Sequence, residues 1–132
     1  MSKQYTDDKS IADADELWRR IFPGWVVPDQ NVGGLRISSQ AFEDSKDGTP
    51  CSIFIAQTVV DGGRSAHDLL AGFDGYSMAA LSAGVARDNR QAVCRDERPE
   101  EPAHGAIVGK KTKPVKNALA KYATEHWFIP PS

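Results

Sequence analysis

Residues 104–127 constrain the fold more than any other stretch. His104-Gly105-Ala106-Ile107-Val108-Gly109 reads as a short strand, Lys110-Lys111-Thr112-Lys113-Pro114 as a basic turn, and Val115 to His126 as an amphipathic helix. At about 100° per residue, Val115, Ala118, Leu119, Tyr122 and His126 share one helix face, and Lys113, Lys116 and Lys121 share the other. A strand that hands over to a helix through a short turn must lay that helix back on a sheet. The turn then gathers free backbone N–H groups, the positive end of the helix dipole and several lysines.

The upstream pattern supplies the rest of an α+β domain. Ser10 can cap a first helix whose apolar face carries Ile11, Ala14, Leu17, Trp18 and Ile21. Asp15 with Arg19, and Glu16 with Arg20, form acid-before-base pairs at i,i+4 on the other face, and Pro23-Gly24 ends the helix. Leu35 to Ser38 alternates as a short half-buried strand. Ser52 to Val60 reads as a central strand, Ser65 as the cap of a short helix over 66–71, and 76–81 as a strand entering a helix at Ser82-Ala83-Gly84. Residues 91–95 and the strand from His104 form a hairpin around an acidic, proline-bounded loop.

A chain of 132 residues with 40% apolar and 26% charged residues suits one globular domain. The expected organisation is a flexible polar tail over 1–9 and a single α+β domain over 10–132. That domain holds a mixed sheet of four or five strands, with an N-terminal and a C-terminal amphipathic helix packed on it. A net charge of −2 lacks the basic excess of a dedicated nucleic-acid protein, so no nucleic acid is expected. Residues 1–9 have no apolar core of a signal peptide, and the run from Tyr76 to Ala86 is about half a membrane span. Cys51 and Cys94 read as two buried reduced thiols. A soluble, cytoplasmic protein with no membrane contact is expected.

Three groups of residues carry candidate chemistry. Lys110, Lys111, Thr112 and Lys113 make an anion site at a helix N-terminus, suited to a phosphate-bearing small molecule. Gly105 and Gly109 enclose three residues where a nucleotide-binding P-loop needs four, so no NTPase is read. His67, His104 and His126 lack ligand spacing, so no metal and no cofactor are expected. Cys94 and His104 sit on the two arms of the hairpin, where a thiolate–imidazolium pair would need them.

Arg36-Ile37-Ser38-Ser39 followed by Phe42 forms the second group. Its order resembles the arginine and serine positions of ADP-ribosyltransferase folds over about ten residues. The resemblance implies a strand serine and a nearby aromatic holding a nicotinamide dinucleotide, though the late catalytic glutamate of that family has no counterpart here. An enzyme of nucleotide or ADP-ribose chemistry would use Arg36, Ser38 and His104. The third group is the apolar tail Trp127, Phe128 and Ile129, a surface for a protein partner or a second copy of the chain. The main expectation is a small binding or accessory protein that recognises an anionic, phosphate-bearing ligand or a partner protein. The sequence alone does not decide whether it is an enzyme.

Overall fold

A computed structural model describes residues 5–31 and 33–131. Its strands are β1 (Glu16–Ile21), β2 (Val26–Pro28), β3 (Leu35–Ile37), β4 (Cys51–Ile55), β5 (Ser77–Ser82), β6 (Ala92–Arg95), β7 (His104–Val108) and β8 (Trp127–Ile129). Its α-helices are α1 (Ala56–Asp61), α2 (Ala83–Asp88) and α3 (Lys113–Glu125), with short 3-10 turns at Pro23–Trp25, Ser39–Phe42 and Ala66–Leu70. Six strands form one sheet in the order β6-β7-β4-β1-β5-β8, and β2 pairs with β3 in a separate ribbon. Every neighbouring pair is antiparallel.

The domain is α+β, but it does not hold the expected mixed sheet of four or five strands with an N-terminal and a C-terminal amphipathic helix packed on it. The sheet has six antiparallel strands, and the N-terminal helix is absent: residues 11–15 lie in turns, and Glu16–Ile21 form β1, near the centre of the sheet. Two periods compete over these residues. Helical spacing groups Leu17, Trp18 and Ile21, whereas strand alternation sends Leu17 and Ile21 to one face and Trp18 to the other. The i,i+4 ion pairs that favoured a helix contribute only about 0.2–0.5 kcal/mol each. In the strand, both arginines find backbone acceptors instead. Arg19 donates to the carbonyls of Ala41 (3.0 Å) and Ser52 (2.6 Å), and Arg20 Nε donates to that of Leu69 (2.6 Å). Burial of Leu17, Trp18 and Ile21 on two faces outweighs the helical pairs.

Two cores lie on the two faces of the sheet. The first joins Leu17, Ile21, Ile53, Ile55, Leu81, Val93 and Ile107 to Phe42, to Ala83 and Ala86 of α2, and to Leu119, Ala120 and Ala123 of α3. The second joins Trp18, Phe54, Met78 and Ala80 to Ala56 and Val59 of α1 and to Ala66 and Leu69. The run expected as a strand to Val60 therefore turns helical at Ala56, which brings Val59 back over Phe54 and Trp18. The C-terminal tail adds β8 to the sheet edge: Trp127 pairs with Ala79, and its indole Nε1 donates to Ser77 Oγ at 2.9 Å.

The N-terminal segment is held as well. Asp7 Oδ1 accepts from the Val93 N–H and from Arg87, and the Asp8 N–H donates to the Val93 carbonyl. Residues 1–4 of the expected tail lie outside the described residues. No helix among the described residues is long and apolar enough to cross a membrane.

Candidate functional site

The second face of the sheet carries one conspicuously polar group inside an apolar surround. In the antiparallel ladder, Phe54 faces His104 and Ser52 faces Ala106, so Ser52 and His104 are diagonal neighbours on the same face. The loop that joins β6 to β7 then returns Asp96 beside His104, fixed by the Asp96 N–H donating to the His104 carbonyl at 2.9 Å. His104 is 6% exposed and Asp96 7%, which makes both rare buried polar groups in this chain.

The hydrogen bonds of His104 define its tautomer. Nδ1 lies 3.0 Å from the Asp96 carbonyl oxygen and 3.3 Å from its carboxylate Oδ2. Both partners only accept, so Nδ1 must carry a proton. Burial, reinforced by the charge of Arg98, pulls the imidazole below its ordinary value of 6.5, while the bonds to Asp96 act the other way. The ring is therefore neutral at pH 7 and Nε2 holds a lone pair. Nε2 lies 3.1 Å from Ser52 Oγ, so the serine hydroxyl donates to it. Hydroxyl, imidazole and carboxylate stand in the order of nucleophile, base and orienting group.

This group opens on a cleft of about 370 Å³ lined by Arg20, Ser52, Phe54, Phe73, Arg98, Glu100, Glu101 and His104. Arg20 comes from β1 and stacks between two rings, with its guanidinium carbon 3.8 Å from the Phe73 centroid and 4.6 Å from that of Phe54. Burial pushes its pKa down, opposed by Glu101. Its Nε is satisfied by Leu69, but its two terminal amino groups have no hydrogen-bond partner among the described residues, and they are not sealed from water. Glu101, on the rim, is engaged by both guanidinium amino groups of Arg64 and by the Ala103 N–H, and the Arg64 bonds hold its carboxyl below the usual range.

No family model, curated protein or solved structure matches this chain. The cleft's own geometry therefore carries the functional reading.

The residues singled out from sequence fall in three places. Lys110 and Thr112 border a cleft of about 360 Å³ together with Arg90 and Asn89. Thr112 Oγ1 caps α3 by accepting from the Val115 N–H, and Lys113 is exposed in the first turn. Lys111 points elsewhere. Its Nζ is 2.8 Å from Asp44 Oδ1 and donates to the carbonyls of Ile107 (2.8 Å) and Gly109 (3.3 Å), with 4% of the side chain exposed. Arg36 lines a cleft of about 570 Å³ between β3 and α3 with Asn31, Lys121 and Thr124, and an adjoining hollow of about 680 Å³ with Ser38. Ser38 Oγ is buried with no hydrogen-bond partner among the described residues.

His104 belongs to the other face of the sheet, so the structure does not bring it together with Arg36 and Ser38. Phe42 is fully buried in the first core. Cys94 pairs with Ala106 rather than with His104; burial raises its thiol pKa, and both ring nitrogens of His104 are taken by other groups. The acidic loop pairs with Arg64 and Arg98, and the lysines Lys111 and Lys116 pair with Asp44 and Glu43.

Sequence reasoning named His104 and missed Ser52, Asp96, Arg20 and Arg98. One signal was present. Ser52 is the one strongly polar position in Cys51–Ile55, and a polar residue in a doubly covered strand needs a partner.

Proposed function

We propose that this is a small binding protein for a compact anion with an apolar body, held in the cleft of Arg20, Ser52, Arg98 and His104. One observation carries the reading: the two unpartnered amino groups of Arg20 at an aromatic-walled cleft. A half-buried guanidinium whose terminal amino groups make no hydrogen bond gains from a carboxylate or phosphate that fits its planar fork, since Glu101 acts on it by charge alone and is hydrogen-bonded to Arg64. Phe73, half-buried at the cleft wall, offers apolar surface for the body of the ligand. The turn at 110–113 has fewer free cations to offer, because Lys111 is engaged by Asp44. A cytoplasmic location fits two free, buried cysteines.

The test is an NMR titration with benzoate and with phenyl phosphate at low salt. The resonances of Arg20, Ser52 and His104 are expected to shift together. Arg20→Met, which keeps an apolar stem between the rings, should weaken binding about 10- to 100-fold, the effect of removing a hydrogen bond to a charged group. Equal affinity in Arg20→Met, or shifts confined to residues around Lys110, would overturn the proposal.

A further inference from the structure

We infer that Ser52 is a nucleophile, activated by His104 and positioned for hydrolysis of a small ester that carries an anionic group. The inference rests on the cleft being the ligand site and adds the reaction performed there.

The hydroxyl of Ser52 donates to a neutral imidazole whose other nitrogen is fixed on Asp96, so the lone pair of Nε2 is aimed at the proton that must leave. The backbone around the nucleophile is held: the Ser52 carbonyl accepts from Arg19 at 2.6 Å, and β4 is flanked by β1 and β7. Asp96 lies behind the ring and does not line the cleft, which leaves Ser52 and His104 as the groups that meet a substrate. Among the described residues, the cations that face the same cleft are Arg20 and Arg98. They meet the two electrostatic needs of the reaction, which are recognition of the substrate's charge and support of an oxyanion.

The steps balance without any added oxidant or cofactor. Ser52 Oγ bonds to the ester carbonyl carbon as its proton passes to His104 Nε2. The tetrahedral oxyanion collapses, the bond from carbon to the alcohol oxygen breaks, and the departing oxygen takes the proton from Nε2. Water then adds to the acyl carbon and gives a proton to Nε2. The bond from carbon to Oγ breaks, Oγ regains its proton, and the carboxylic acid leaves and ionises in solvent. Asp96 is a positioning residue: it holds the ring and steadies its transient cation.

The experiment uses the full chain, a fluorophosphonate probe read by intact mass and peptide mapping, and hydrolysis of 4-acetoxybenzoate against neutral phenyl acetate. We expect one label, on Ser52, and faster turnover of the anionic ester. Ser52→Ala should abolish both. His104→Gln should slow labelling about 100-fold or more. Because substitution of a buried histidine also strains the fold, the wild-type pH profile serves as a second reading: labelling should fall as His104 gains a proton, with its acid limb below the ordinary histidine value. Asp96→Asn should move that limb further toward acid, a displacement that lost packing alone does not produce. Labelling at another residue, no labelling at all, or equal rates in Ser52→Ala would overturn the inference. If benzoate still binds in that case, the cleft stands as a binding site without chemistry.

Discussion

Phe42→Ala is expected to lower the unfolding free energy by about 3–5 kcal/mol, the range for emptying a large, fully enclosed aromatic site. The ring is completely buried and belongs to the core that joins the sheet to α3. It sits at the end of the 3-10 turn Ser39–Phe42, whose next residue, Glu43, forms an ion pair with Lys116 on α3 at 3.0 Å. Loss of the ring therefore leaves a void and loosens the contact that seats the helix. Urea unfolding followed by tryptophan fluorescence measures it. A ring that served to stack a ligand would instead be replaceable at a cost below about 1 kcal/mol, with the loss falling on binding.

Lys111→Ala is expected to cost about 2–3 kcal/mol, below the usual range for breaking a buried ion pair because Asp44 keeps part of its water. The ammonium group closes three acceptors at once, namely the Ile107 and Gly109 carbonyls and Asp44, and Asp44 also accepts from the Cys51 N–H. The lysine thus ties the turn before α3 to the loop before β4. Lys110→Ala, at an exposed neighbour, should change stability by less than about 0.5 kcal/mol. Comparison of the two denaturation midpoints tests the contrast. Equal midpoints would mean that Lys111 is as free as Lys110 and available to a ligand.

These two residues show where the sequence was informative and where it was not. Local chemistry was legible. Ser65 and Asp68 form the reciprocal cap expected of the Ala66–Leu70 turn, Ser82 Oγ accepts from the Val85 N–H where β5 gives way to α2, and Thr112 caps α3. Each of these depends on residues three apart. The identity of β1 was hidden because its spacing satisfies both a helix and a strand, and only the sheet chooses between them. Lys111 was hidden because its acceptors include Asp44, distant in sequence.

The same reason separates His104 from its partners. Its place at the start of a strand was readable, but its site depends on the register of β4 against β7, which sets Phe54 opposite His104 and so brings Ser52 to the ring. A shift of one residue would turn Ser52 to the other face. Arg20 reached the site only through the strand character of β1. Asp96 reached it through the loop geometry of the hairpin, fixed by its own N–H to the His104 carbonyl.

The protonation state of His104 links stability to function. Burial holds its pKa below 6.5, so the unfolded chain takes up that proton first as pH falls. The stability contributed by the neutral ring is complete above about 6.5 and is lost as pH falls through the folded value. Glu101 adds to the acid sensitivity at lower pH, since its carboxyl is held below 4.5 and the stability it contributes is lost as pH falls through its folded value.

The most direct measurement is a long-range proton–nitrogen NMR spectrum of the histidine rings across about pH 5 to 8, with His104 assigned by its absence in His104→Gln. The expected result is a neutral ring at pH 7 with the proton on Nδ1, titrating below the ordinary histidine value. A proton on Nε2 would leave Ser52 without a base, and a midpoint above that value would contradict the buried neutral ring on which the assignment of the site is built.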